Sequence, residues 1–472
     1  DFPTDDFEVI DPGDAATATA TGNKTYSALT SVFGRLNYSY KDRYLFEANV
    51  RRDGSSKFAR GHRWGTFPSF SAAWRISEES FFSPLKSAVQ NLKLRASWGK
   101  LGNQSIDNYL SMSTYAVVGG GTRFYLFDGT VQSLMTESVM GNNIITWETS
   151  TNLNFGLDVN VLDNRLGLTF DWYNRDTDDI LLSLEAPSLL GITPPISNAG
   201  KVRNRGWELT VNWQDQINSD FSYNVNFMLS DVRNKILDMH GYKSPTSSLT
   251  TRIEGEPIDA LFGWQTLGLA DTQEKYEQYK DVMLTYNSNF SMGDIIIADL
   301  DKDGKITEAD KKIIGNQIPR YTFSLNLGFN YKALDFSAMF QGVGKVDGFL
   351  GRDIIEPLGS QTAMEEHYYD SFDPSNPTTG KYYPRMTMAN RLNYANMSHW
   401  VQDASYLRLK NLQVGYTFKF GEKSPVERTR IYFSGSNLFT LTKYRVFDPE
   451  NGLNTTSFPN SRVYSIGANV TF

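Results

Sequence analysis

Cysteine is absent from the 472 residues, so neither a disulfide nor a thiolate metal site nor thiol chemistry contributes to this protein. Long apolar runs are absent as well. A membrane helix needs about 18 to 20 apolar residues in a row, and with a mean hydropathy of -0.41 and no run beyond a handful, a helical membrane protein is excluded. Basic charge is outweighed. Lys and Arg number 46 against 53 Asp and Glu, a net charge of -7, which argues against a nucleic-acid partner because phosphate binding needs a basic face. The opening residues Asp1-Phe2-Pro3-Thr4-Asp5-Asp6 show no basic n-region and no apolar h-region, so they do not read as a signal peptide.

What is present is aromatic residues at 14% and 37 Gly, arranged with period two. From Tyr321 to Tyr331, Tyr321, Phe323, Leu325, Leu327, Phe329 and Tyr331 alternate with Thr322, Ser324, Asn326, Gly328 and Asn330. One face is apolar and the other polar. Aromatics at both ends with Leu between them describe a lipid-facing stripe with two aromatic girdles, and the lumen-facing residues between them keep the average hydropathy low. The pattern recurs at Leu153, Phe155, Leu157, Val159; at Leu166, Leu168, Phe170, Trp172; at Trp207, Leu209, Val211, Trp213; and at Phe221, Tyr223, Val225, Phe227, Leu229. A β-sandwich also alternates, but its outward face would carry more Lys and Glu than the Asn, Ser, Thr and Gly found here. The expected fold class is therefore all-β, a transmembrane antiparallel β-barrel with long extracellular loops.

Connections alternate in length, as tight periplasmic turns and extended outer loops do. Short turns are expected at Lys41 to Arg43, Leu162 to Asn164, Gln214 to Asp220 and Lys332 to Ala333, with longer ones at Ser77 to Gln90 and Lys419 to Thr429. Long loops are expected at about 101–144, 176–204, 231–319, 345–403 and 442–460, lengths that are normally functional. The boundaries give about thirteen strands from near Val32 to Phe472. An odd number does not close a bacterial barrel, so residues 1–30 read as the end of an extracellular loop, residues 31–472 as the C-terminal part of a barrel, and the remaining strands are expected in a front part. The last strand places Tyr464, Ile466, Ala468, Val470 and Phe472 on one face. Ending on an aromatic in this way resembles the assembly signal of outer-membrane barrels; the plainer alternative is an ordinary edge strand.

Several segments carry a family resemblance: Phe33-Gly34-Arg35-Leu36-Asn37-Tyr38, Arg51-Arg52-Asp53-Gly54-Ser55-Ser56, Trp64-Gly65-Thr66-Phe67-Pro68-Ser69, Leu94-Arg95-Ala96-Ser97-Trp98-Gly99, Asn204-Arg205-Gly206-Trp207-Glu208, Tyr406-Leu407-Arg408-Leu409-Lys410-Asn411 and Ser436-Asn437-Leu438-Phe439-Thr440. In this order they are similar to the barrel region of SusC-like TonB-dependent outer-membrane transporters. The resemblance implies a barrel of about 22 strands with a plug inside it, of which this chain carries the last thirteen or so. It also implies a SusD-like surface lipoprotein as lid, and TonB acting through a motif in the N-terminal part of the same transporter. The implied function is active import of an oligomeric nutrient, oligosaccharide or oligopeptide; a passive porin, an adhesive barrel and an outer-membrane enzyme are the competing readings.

One motif carries metal chemistry. Asp299, Asp301, Asp303, Gly304, Lys305 and Asp310 follow the D-x-D-x-D-G spacing of a calcium loop, in which alternate oxygens wrap a hard cation, Gly permits the turn and the Lys305 carbonyl adds a ligand. Asp310 stands where Glu is usual, and an extended segment at Gly293 to Ala298 precedes the loop in place of a helix. The metal-free alternative is an acidic turn rich in Asp and Gly. Catalysis has no comparable motif, because His62, His240, His367 and His399 all fall in expected outer loops without a sequence partner, so the chain does not read as an enzyme. No residue is assigned to substrate. Tyr368, Tyr369, Tyr382, Tyr383, His399 and Trp400 are the candidates for stacking on a sugar ring or a peptide side chain, against the alternative that they pack loops together.

Overall fold

The alternating segments form the thirteen strands of one antiparallel sheet. In chain order they are β1 (Leu29–Tyr40), β2 (Tyr44–Ser55), β3 (Trp64–Arg75), β4 (Val89–Asn103), β5 (Glu148–Val161), β6 (Leu166–Ser183), β7 (Ile196–Asn218), β8 (Phe221–Asp238), β9 (Tyr321–Tyr331), β10 (Leu334–Gly344), β11 (Tyr406–Lys419), β12 (Arg428–Thr442) and β13 (Val463–Thr471). Each strand pairs with the next in sequence. The computed structural model describes residues 24–118, 125–127, 130–132, 134–183, 194–241, 248–357, 369–387, 391–421, 424–445, 448–452 and 458–472; residues 1–23 of the expected loop end, together with Tyr368 and His367, lie outside them.

Register keeps the two faces apart across the whole sheet. Leu325 stands opposite Phe227 on one side and Phe340 on the other, and Leu327 opposite Val225 and Ala338. The stripe is continuous from strand to strand. Its end residues stack as girdles: Phe329 with Phe336 at 4.9 Å and Tyr44 with Trp74 at 6.3 Å at the rim of short turns, and Phe170 with Trp207 at 6.4 Å and Phe155 with Trp172 at 6.0 Å toward the other rim. The span from Tyr321 to Tyr331 rises about 33 Å along the strand, which a tilt of about 40° reduces to about 25 Å, the height of the apolar band of an outer-membrane barrel.

Among the described residues, β1 and β13 each pair on one side only. Every residue of β1 except Ser31 is exposed, and Ile466 of β13 is 83% exposed. The sheet has two open edges.

The tight turns fall where expected at Lys41–Arg43 and at Lys332–Ala333, the latter with Lys332 at φ 53°. Three boundaries differ from the expectation. β7 runs on to Asn218, so the turn before β8 is two residues in place of the seven expected; β6 and β7 continue to Ser183 and back from Ile196; and β8 continues to Asp238. The last two have one cause. Beyond Trp172 and Trp207 the face that carries the lipid stripe turns polar, with Asn174 opposite Arg205 and Asp176 opposite Arg203, so the apolar stripe ends while the ladder persists. There it is held by cross-strand ion pairs, Arg203 to Asp176 at 2.7 Å and Lys201 to Asp178 at 2.7 Å.

The largest buried core lies outside the sheet, in the loops that follow β8 and β10. Leu261, Trp264, Ile295, Ile296, Ile297, Phe349, Leu350, Phe372 and Trp400 pack there with Tyr444 from the loop after β12. Short strand pairs frame it, Ala260–Trp264 with Lys311–Gly315 and Asp347–Phe349 with Val401–Asp403. One helix, α1 (Gln273–Leu284), is capped by Thr272, which accepts from the Lys275 N–H, as an N-cap threonine does. A smaller core, Leu182, Ala199, Val202, Ile236 and Met239, lines the inner face of the β6–β8 extension.

Candidate functional site

Two regions of this architecture can meet a solute: the polar face of the sheet and the folded unit of outer loops beyond it. The polar face is lined by side-chain amides and by charges that neutralise one another. Asn226 donates to Asn212, Asn326 donates to Asn226 at 3.3 Å and Asn234 to Asn204 at 2.8 Å. Arg95 holds both Asp158 and Asp171 in bidentate fashion at 2.9 to 3.0 Å. Arg430 does the same with Asp335.

Both crossings pass close over a glycine. A Cβ at Gly156 would sit 2.6 Å from the Arg95 guanidinium carbon, and one at Gly415 would sit 2.5 Å from the Arg430 guanidinium. The wall therefore offers many hydrogen-bonding groups and little uncompensated charge, which suits passage of polar molecules.

In the loop unit the acidic motif forms a tight turn. Asp299 accepts the N–H of Lys302 at 2.7 Å and of Gly304 at 2.9 Å, Asp301 that of Asp303 at 3.2 Å, and Asp303 that of Lys305 at 2.8 Å. Gly304, at φ +80°, makes the bend. One oxygen from each of Asp299, Asp301 and Asp303 lies within 4.8 Å of the others. Asp310 is placed differently. It is buried, and its two oxygens accept the N–H groups of Leu300 at 2.7 Å and Thr307 at 2.8 Å, so it ties the two ends of the turn together; each oxygen keeps a second lone pair.

The Asp301 carboxyl is held above the usual carboxylate range. The Asp303 N–H pulls it down, but desolvation, the charges of Asp303 and Asp310 and the hydrogen bond with Asp299 outweigh that pull. Crowded anions of this kind fit a hard cation, which would relieve their repulsion.

Sequence similarity, set beside this geometry, decides the family. Residues 1–438 match the family described as TonB dependent receptor-like, beta-barrel. The chain belongs to that family. It is 33% identical to TonB-dependent receptor P3 of Formosa agariphila, over 98% of this chain and 47% of that protein. To TonB-dependent receptor SusC of Bacteroides thetaiotaomicron it is 27% identical, over 98% and 45%. The fold matches the structure of the RagAB peptide transporter with a TM-score of 0.82 at 23% identity, covering all of this chain and 50% of that one. The chain spans about half the length of the curated relatives it matches. As a TonB-dependent receptor barrel it resides in the outer membrane.

Within this receptor barrel the aromatic candidates serve mainly as core. Trp400 and Tyr383 are 0% and 2% exposed. The Tyr382 and His399 rings stack at 4.9 Å, His399 Nε2 lies 2.7 Å from the Tyr382 carbonyl, and the Tyr382 hydroxyl donates to the His399 carbonyl at 3.2 Å. Burial pushes the His399 imidazole below its ordinary value, partly countered by that contact with the Tyr382 carbonyl. Tyr369 stays exposed. The loop-packing alternative thus holds for Tyr383, Trp400 and His399, because bulky aromatics in a long loop are the material from which that loop builds its own core.

The loop unit also holds charged networks that the sequence did not announce. Fully buried Asp294 accepts from Arg385 at 2.8 Å, from Asn393 at 2.9 Å and from the Ser291 N–H at 2.8 Å. Arg408 reaches Asp448 at 2.6 Å and Glu450 at 3.1 Å. A carboxylate abutting the run Ile295-Ile296-Ile297 signals that a partner is required. Which partner was not legible, since Arg385 lies 91 positions away.

Proposed function

We propose that the chain is the C-terminal barrel portion of a transporter that imports an oligomeric nutrient, oligosaccharide or oligopeptide, by a TonB-dependent mechanism. The observation that carries this reading is a polar, charge-compensated wall surmounted by loops that fold into a unit with its own apolar core. In this reading, strands and a plug from the N-terminal part of the same transporter meet the open edges of β1 and β13, because unpaired backbone in lipid costs several kcal/mol per group. Residues 1–30 then lead down from an outer loop into β1. A SusD-like lipoprotein covers the outer face, and TonB acts through the N-terminal part.

The test is uptake of the material that co-purifies with the intact transporter, identified by mass spectrometry, in cells with and without TonB. Import should stop when TonB is removed. Undiminished flux would refute active transport and favour a passive, porin-like barrel.

The same reading gives the acidic turn a structural calcium, held by Asp299, Asp301 and Asp303 with the Lys305 carbonyl and Asp310 completing the set, which would order the loop unit. Chelation should then open the 299–310 segment to protease and Asp301→Ala should remove the calcium response. Equal cleavage with and without calcium would reject the metal.

A further inference from the structure

On the outer wall of β7 and β8 the residues just beyond the lipid stripe are cations placed against cations. Arg205 stands directly opposite Arg233, and Arg203 directly opposite Lys235. All four lie on the face that carries Trp207, Leu209 and Val211 toward lipid. Like charges directly across a ladder destabilise it, so something must compensate them.

Part of the compensation is internal. Asp176 takes Arg203 at 2.7 Å. Arg205, however, faces Asn174 on β6, and it lies over the Trp172 ring at 5.2 Å. Asp231 is bound by Arg320 at 2.7 and 2.9 Å, which leaves Arg233 at 3.8 Å from it and largely exposed. Lys235 is exposed, and among the described residues neither it nor Arg205 forms an ion pair.

Height decides what these cations meet. Trp172 and Trp207 are opposite one another and mark the outer girdle, where aromatic rings sit at the membrane–water interface. Arg205 is two residues further out, about 7 Å along the strand. That is the level of the lipid headgroups. The same device recurs on β2 and β3, where Arg52 lies over the Trp64 ring at 5.3 Å.

We propose that Arg205, Arg233 and Lys235 bind the phosphorylated headgroup of a lipid in the outer leaflet of the outer membrane. Its phosphate neutralises the opposed cations and its acyl chains lie along the stripe below Trp207. The site requires the membrane placement but is independent of what the transporter carries.

The experiment uses the intact transporter in neutral detergent and reads its thermal stability during titration with a phosphorylated glucosamine lipid, and with the same lipid after removal of its phosphate. The wild type should gain stability saturably from the first and little from the second. The triple variant Arg205→Gln, Arg233→Gln, Lys235→Gln should bind the phosphorylated lipid about a hundredfold more weakly, each cation near a membrane surface being worth about a factor of five. Without lipid it should be at least as stable as the wild type, because the opposed charges are gone. Lys41→Gln with Lys332→Gln, at the opposite rim, should leave binding unchanged. Should the triple variant not fold, Lys235→Gln alone should weaken binding about fivefold. Equal affinity of the variants and the wild type, equal affinity for the dephosphorylated lipid, or the same stabilisation by inorganic phosphate alone would overturn the proposal.

Discussion

Replacing Leu325 by Arg tests the assignment of faces on which the membrane placement depends. Leu325 is one residue from the centre of β9, between Phe227 and Phe340 on the neighbouring strands, which puts it within about 3 Å of the bilayer midplane. An Arg there should cost about 2 to 4 kcal/mol, or about thirtyfold to several hundredfold in the folding equilibrium. Asn326→Arg, one position along, turns its side chain to the water-facing wall. It gives up the hydrogen bond to Asn226 and should cost about 1 kcal/mol. Both variants of the intact transporter can be folded into vesicles over a urea series, with the folded fraction read from the gel mobility of unheated samples. A loss at Asn326 equal to or larger than that at Leu325 would mean that the faces are reversed.

Two further outcomes follow from the loop unit. His399 is half-buried and its imidazole is depressed below the ordinary value by desolvation, so the stability it contributes is complete above that value, about 6.5, and is lost as pH falls through the lower folded-state value. The protection of amides around residues 391–405, taken relative to the intrinsic exchange rate at each pH, should therefore fall on going from about pH 7.5 to pH 5; His399→Phe should flatten the change, and an equally steep change in that variant would discount His399. Asp294→Ala leaves the Arg385 guanidinium without its buried partner, a loss of about 3 to 5 kcal/mol. Limited proteolysis should then cut the loop unit while the barrel retains its folded mobility; an unaltered cleavage pattern would show that the network is dispensable.

The sheet was legible because lipid imposes its own rule on sequence. Tyr321 to Tyr331 had to alternate, since lipid and water lie on opposite sides of every membrane strand, and β9 and its turn at Lys332–Ala333 emerge as read. Above the girdle that rule lapses. Asp176, Asp178, Lys201 and Arg203 form a ladder by hydrogen bonds and ion pairs, and no period in hydropathy records those. The loop unit was less legible for a related reason: Trp400 and Tyr383 look like ligand-stacking residues until Asp294, Arg385 and Asn393 are brought together from segments nearly a hundred residues apart. The calcium spacing was legible as a turn around Asp299, Asp301 and Asp303. The engagement of Asp310 with Leu300 and Thr307 depends on backbone geometry that spacing alone does not specify.

The reach of β7 has a consequence for where selection takes place. Roughly eleven of its 23 residues, from Ile196 to Gly206, stand beyond the outer girdle, and at about 3.3 Å each and a tilt of about 40° they raise the wall some 25 to 30 Å above the bilayer. On this side the conduit is about twice as long as the hydrocarbon it crosses. Beyond the girdle the wall meets water in place of lipid, so charged side chains such as Asp176, Asp178, Lys201 and Arg203 stand there without a penalty from the bilayer. The lower half is bound to one composition by the bilayer, whereas the upper half is free of that constraint.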